Sequence, residues 1–163
     1  MLGFEESHGY LVGDYVRDKD ATLASMLMLE IASQLKKQNK TLVDKLNEIY
    51  AEFGYFDHKT LVYKFEGSEG NEKMQKIMKM LTEKHPVKFG VLNVIKVRDY
   101  SKGVGKLPKA SMVEFELERG ARIIIRPSGT EPVIKVYITL SETKQKNEVQ
   151  LKKLQIALEK MFK

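Results

Sequence analysis

VEFELERGARIIIRPSGTEPVIKVYITL, Val113 to Leu140, is the stretch on which the fold turns. Val113, Phe115 and Leu117 alternate with Glu114, Glu116 and Glu118, the period-two pattern of a strand with one buried face. Arg119-Gly120 fits a two-residue hairpin turn into the apolar run Ala121 to Ile125, and a third run covers Val133 to Leu140. In that third run Ile134, Val136, Ile138 and Leu140 face one way while Lys135, Tyr137 and Thr139 face the other. Strands joined by such short connections pair antiparallel.

The connection between the last two runs is Arg126-Pro127-Ser128-Gly129-Thr130-Glu131-Pro132. Arg126 offers a planar fork of donors, Ser128 and Thr130 offer hydroxyls, and Gly129 lets backbone N–H groups approach a ligand closely. Pro127 and Pro132 stiffen the loop, which lowers the entropy lost when it closes on a ligand. Lys135 projects from the polar face of the strand that leaves the loop, so a second positive charge stands close by. The chemistry is that of phosphate capture. An ordinary tight turn uses the same Ser, Gly, Thr and Pro residues, and a strand lysine is often merely solvated.

Upstream, Leu61, Tyr63 and Phe65 alternate with Val62, Lys64 and Glu66, which predicts a strand over 60–66 ended by Gly67-Ser68-Glu69-Gly70. A helix follows from about Asn71 to Lys84, then a strand from about Phe89 to Arg98 and a mobile basic loop from Asp99 to Lys109. Downstream, a helix from about Glu142 to Lys163 presents Leu151, Leu154, Leu158 and Met161 as its apolar stripe. Residues 60–163 therefore read β-α-β-β-β-β-α, an α+β domain with an antiparallel sheet covered by helices on one face.

The first part of the chain has another character. Gly3 to Tyr10 is an acidic and glycine-containing loop with no strand ahead of it, so the natural sequence is expected to continue upstream. Ala21 to Lys36 is apolar over more than half of its helical circumference, which predicts a well-buried helix, with Asp18 or Asp20 as its N-terminal cap. Thr41 to Asp44 has capping-box spacing for a second helix, which Gly54 stops. Two such helices cannot bury their own apolar faces and call for a sheet.

Of 163 residues, 42% are hydrophobic, enough for a packed core, and the absence of cysteine excludes disulfides and thiolate metal sites. No signal peptide and no membrane span is expected, which leads to a cytoplasmic assignment without membrane partners. Residues 1–59 hold 7 Lys/Arg against 10 Asp/Glu, net −3, and residues 60–163 hold 21 against 12, net +9. The second part thus favours an anionic partner, a phosphate ester or a nucleic acid. His8, His58 and His85 lie far apart in three contexts, so no metal site is expected, and no nucleophile elbow, P-loop or dinucleotide fingerprint is present. Tyr63, Phe65, Phe89 and Tyr100 could serve an RNA-binding sheet, but Tyr63 and Phe65 alternate with Leu61 as core residues do. No nucleic acid is therefore expected as a partner, and a free-standing basic module that binds one is the alternative.

Two separated motifs, read together, resemble the α-D-phosphohexomutases, the phosphoglucomutase and phosphomannomutase enzymes. Gly3-Phe4-Glu5-Glu6-Ser7-His8-Gly9-Tyr10, followed by Val16 to Ala21, resembles the sugar-binding loop and charged turn of the family's third domain. Arg126 to Pro132, followed by Ile134-Lys135-Val136-Tyr137, resembles the phosphate-binding loop of its fourth domain. Phe4 and His8 depart from the commonest form of the first motif and look more like the bacterial phosphoglucomutase branch. The resemblance implies a C-terminal portion: residues 1–59 as the helical remnant of the third, α/β domain and 60–163 as the fourth, of TATA-binding-protein-like fold.

It also implies interconversion of hexose 1-phosphate and hexose 6-phosphate through a bisphosphorylated sugar, with a phosphoserine and a magnesium ion in the missing N-terminal domains. Neither the phosphoserine motif nor the aspartate-rich magnesium loop occurs in these 163 residues, so this portion alone is expected to hold no cofactor and to be inactive. By resemblance, Glu5 and Ser7 meet sugar hydroxyls and Lys19 stands near the reacting end as an assisting cation. Arg126, Ser128, Gly129, Thr130 and Lys135 carry over to the grip on the phosphate that is not transferred. Lys135 puts a point charge where relatives can have arginine.

Overall fold

The computed structural model describes residues 2–5, 9–15, 17–129 and 131–162. The chain divides into two units, Met1–Phe53 and Gly54–Lys163. In the first, β1 (Leu2–Glu5) and β2 (Gly9–Val12) form an antiparallel hairpin that pairs Leu2 with Val12 and Glu5 with Gly9. Helix α1 (Ala21–Lys37) starts where Asp20 accepts a hydrogen bond from the Leu23 N–H at 3.0 Å, so Asp20 is the cap. Helix α2 (Leu42–Phe53) opens on a reciprocal box: the Thr41 N–H donates to Asp44 at 2.7 Å and the Asp44 N–H to Thr41 Oγ1 at 3.1 Å. Gly54, at φ +91°, supplies the left-handed residue that ends it.

Helix α1 is not well buried within this unit. Leu35 alone among its described residues is buried, while Met26 is 61% and Leu29 70% exposed. One hairpin and one neighbouring helix offer too little surface to cover a helix that is apolar on more than half of its circumference. An apolar groove of about 430 Å³ remains, lined among others by Leu2, Phe4, Tyr10, Val12, Met28 and Ile31.

The second unit begins with β3 (Asp57–Lys64), three residues earlier than the alternation from Thr60 suggests, because Asp57 to Lys59 continue the ladder. Phe65 lies beyond the strand and gives its N–H to Pro132 O at 2.8 Å. Helix α3 (Gly67–Glu83) starts four residues before Asn71. Gly70 serves close packing there, since a Cβ would lie 2.8 Å from the Phe65 carbonyl oxygen. The segment from Lys88 to Asp99 is two strands, β4 (Lys88–Phe89) and β5 (Leu92–Asp99), because Gly90 at φ +57° turns the chain between them.

Then come β6 (Val113–Leu117), β7 (Arg122–Pro127), β8 (Val133–Leu140) and helix α4 (Lys144–Phe162). The loop between β5 and β6 has a closed base, with Tyr100 N–H bonded to Met112 O and Ala110 N–H to Tyr100 O. The turn between β6 and β7 has Arg119 at φ 60° and Gly120 at φ 69°, the left-handed pair that a tight hairpin demands.

All six strands pair antiparallel in the order β3-β8-β7-β6-β5-β4. One face carries the core: Phe115, Leu117, Ile123, Ile125, Ile134 and Ile138 are fully or almost fully buried against Ile77 and Leu81 of α3 and Leu154, Leu158 and Phe162 of α4. Phe89 meets Phe115 edge-on at 4.9 Å, and Tyr63 meets Phe162 at 4.5 Å. This is the expected α+β architecture, a helix-covered antiparallel sheet. Its other face points away from the helices and bears Arg98, Glu114, Glu116, Arg122, Arg126, Lys135 and Tyr137.

Candidate functional site

On the helix-free face, the register between β7 and β8 sets Arg126 directly opposite Lys135, and Lys135 in turn opposite Val62 of β3. Their neighbours Ile125, Ile134 and Val136 are buried in the core, so strand alternation turns both cations outward. Residues opposed in this way have Cβ atoms about 5 Å apart, and like charges there repel. Arg126 is exposed and forms no ion pair among the described residues. Two cations held side by side at the mouth of a glycine-containing loop suit an oxyanion.

The loop itself is braced from inside. Ser128 N–H donates to Val133 O at 2.8 Å, Val133 N–H to Glu131 O at 2.8 Å, and Glu131 N–H to Ser128 Oγ at 3.3 Å. The bond from Phe65 to Pro132 ties its far end to the start of α3. Ser128 is thereby a loop-building residue as well as a candidate ligand. Gly129 is exposed, and a Cβ built on it would meet nothing within 4 Å, so approach to its backbone is open. Thr130 lies outside the described residues.

Arg122 stands on the same face as Arg126, two turns of the β pleat along the row, but is differently engaged. Its Nε lies 3.2 Å from Glu114, which is 4% exposed and also receives Arg98 at 2.8 Å and the Tyr100 hydroxyl at 2.6 Å. The second arm of Arg98 reaches Glu116 at 2.9 Å. The hydrogen bond to Glu114, with burial adding to it, pushes the Tyr100 phenol above its ordinary pKa. Alternation had assigned Glu114 and Glu116 only to a polar face. The missing signal was their opposition to Arg98 on one side and Arg122 on the other, which appears once strands are laid in register.

In the first unit, Lys19 forms an ion pair with Glu5. Glu5 faces Gly9 across the hairpin, and Asp20, next to Lys19, donates its N–H to Tyr10 O at 2.9 Å. The Tyr15 hydroxyl also bonds Asp20, which together with the Leu23 N–H holds the Asp20 carboxyl below its usual range and raises Tyr15. Glu5 and Lys19 are thus brought together. Ser7 lies outside the described residues. Among the described residues no group of three or more His, Asp or Glu side chains converges.

The aromatic residues that could have served a nucleic acid are engaged elsewhere: Phe65 and Phe89 are buried, Tyr63 packs on the core and Tyr100 bonds Glu114. No helix of the described residues is long and apolar enough to cross a membrane.

Comparison with known proteins gives two family matches. Residues 1–53 match phosphoglucomutase/phosphomannomutase alpha/beta/alpha domain III, and residues 30–153 match the C-terminal domain of the same family. The phosphoglucomutase of Staphylococcus epidermidis is 36% identical over 152 residues, covering 86% of this chain, and that of Staphylococcus haemolyticus is 37% identical over 152 residues, also covering 86%. The chain spans only 28% of the length of either relative. Among solved structures, the open form of the Paramecium phosphoglucomutase pp63/parafusin superposes with a TM-score of 0.61 at 25% identity, covering 99% of this chain and 30% of that one. Sequence matches across both units and a shared fold place the chain in the phosphoglucomutase/phosphomannomutase family, of which it carries domain III and C-terminal domain sequence.

Proposed function

We propose that this chain supplies hexose phosphate recognition to a phosphohexomutase, an isomerase that moves a phosphoryl group between the 1 and 6 positions of a hexose. The reading rests on one observation above all: Arg126 and Lys135 stand opposite each other on the helix-free face, beside an internally braced loop with an accessible glycine. Those residues, with Ser128 and Thr130, hold the phosphate that stays in place. Arg126 supplies a two-toothed contact and Lys135 a point charge. Glu5, Ser7 and Lys19 read the sugar, the carboxylate accepting from hydroxyls and the ammonium offsetting charge near the reacting end. With no phosphoserine sequence and no aspartate-rich loop, the 163 residues bind without transferring.

Titration of the ¹⁵N-labelled chain with inorganic phosphate and with glucose 1-phosphate tests this. Amide shifts should move at Ser128, Gly129 and Lys135. Arg126→Ala should weaken binding by tenfold or more, since a charged hydrogen bond is worth about 1.5–3 kcal/mol. Lys135→Arg should tighten it. Amides that stay still at high phosphate, or mutase turnover by the chain alone, would sink the reading.

A further inference from the structure

Gly9, unlike Gly70, whose Cβ would meet the Phe65 backbone, is kept bare by two side chains from other parts of the unit. It is buried, it does not sit at positive φ, and a Cβ built on it would collide with Lys19 Cδ and approach Glu5 Cγ to 2.9 Å and Glu5 Oε1 to 3.0 Å. The backbone therefore does not call for glycine here. The space above its Cα is needed instead, because the Lys19 side chain crosses that space on its way to Glu5.

The segment carrying Lys19 cannot easily retreat. Asp20 N–H is bonded to Tyr10 O at 2.9 Å, the residue after Gly9, and the Asp20 carboxylate caps α1 and receives the Tyr15 hydroxyl. The residue next to Lys19 is thus anchored on both the hairpin and the helix start, while the Lys19 side chain remains 59% exposed. A methyl group at position 9 would leave those anchors intact and push the side chain off the hairpin into water. From this geometry we propose that Gly9 is a positioning residue: its missing side chain is what lays Lys19 across the hairpin against Glu5, and so sets the spacing of the carboxylate and ammonium that meet the sugar. The inference rests on the reading of Glu5 and Lys19 as sugar ligands given above.

The experiment uses the whole chain in four forms: unaltered, Gly9→Ala, Lys19→Ala, and the double variant. One readout is the nuclear Overhauser contact between Lys19 Hε and Glu5 Hγ. The other is the gain in affinity for glucose 6-phosphate over inorganic phosphate, from amide shifts. Gly9→Ala should fold, lose the contact and lose the hexose gain by about tenfold, the factor carried by one charged hydrogen bond. Affinity for inorganic phosphate should not change. Lys19→Ala should give the same loss, and Gly9→Ala on top of it should add nothing, as expected of two changes that act through one group.

Should Gly9→Ala fail to fold, rescue by Lys19→Ala supports the same steric relation, and lack of rescue overturns it. A contact that persists in Gly9→Ala, a hexose gain that survives it, or losses that add in the double variant each overturn the role of Gly9 alone. If the unaltered chain prefers glucose 6-phosphate no more than phosphate, the sugar reading itself falls and takes the positioning role with it.

Discussion

Glu114 lies on the helix-free side of the sheet and yet is nearly fully covered, because two guanidinium groups and a phenol close over it. Removing it leaves Arg98 and Arg122 facing each other with their shared counter-charge gone, which is the costly way to break such a cluster. Arg98 and Arg122 remain 25% and 53% exposed, so water softens the loss. Glu114→Ala should lower stability by about 2 kcal/mol in urea denaturation. The same change should bring the Tyr100 phenol back toward its ordinary value, visible in tyrosinate absorbance. A phenol whose folded pKa is raised contributes stability that is complete below the unfolded value, about 10, and is lost as pH rises through the folded one. The stability gap between the unaltered chain and Glu114→Ala should therefore be full at neutral pH and narrow as pH rises through the folded Tyr100 value. Alternation told which face Glu114 occupies. It could not tell what stands opposite, since that depends on the registers of β5 and β7, which are set by chain far away.

At the scale of elements, strands of the stretch from Val113 to Leu140 were legible nearly to the residue, because a period of two and a glycine turn report local geometry directly. The turn also makes a sharp prediction. Gly120 is at φ 69° and a Cβ there would strike Ser141 Oγ, so Gly120→Ala should cost about 1–2 kcal/mol in thermal or urea unfolding. Helix α1 was equally legible in extent, Ala21 to Lys36 against Ala21–Lys37, but not in burial. An apolar circumference states how much surface wants cover and is silent on what provides it. Spacing showed a cap at Asp18 or Asp20, without choosing between them, and the box of Thr41 with Asp44. The Asp20 and Asp44 carboxyls sit below their usual range, Asp20 through Tyr15 and Leu23 and Asp44 through the Thr41 N–H and hydroxyl. Their contribution is complete above the ordinary aspartate value of about 3.9 and disappears as pH falls through the lowered folded values. Amide exchange at the first turns of α1 and α2 should accelerate in that acid window, and should do so less in Asp20→Asn, where no carboxylate remains to be protonated.

At the scale of the whole chain, the two units differ in how much they bury. The second unit owns the contiguous core, while in the first Leu35 is the one buried hydrophobic side chain among the described residues. Local opening follows buried contacts, so native-state hydrogen exchange should be slowest in β6, β7 and β8 and faster by orders of magnitude in α1 and α2. Equal protection in both units would contradict this picture. The proposed site residues were reached from sequence in two ways: Arg126 and Lys135 because the loop and the strand leaving it are contiguous, and Glu5 with Lys19 through family resemblance. The inner bracing of Ser128 and the clearance over Gly9 depend on atoms brought together by folding, and no spacing rule reports them.

Strand β3 sits at the sheet edge and pairs only with β8, so Lys64 must wait for Val133. During synthesis at about 5–20 residues per second, that wait lasts several seconds. In that interval β4 to β7 can zip as successive hairpins as they emerge, whereas β3 has no ladder to join. The order of assembly is thereby written into the sheet: the strand made first is the last to be paired, and the nascent chain carries an open β3 until its eighth strand has left the ribosome.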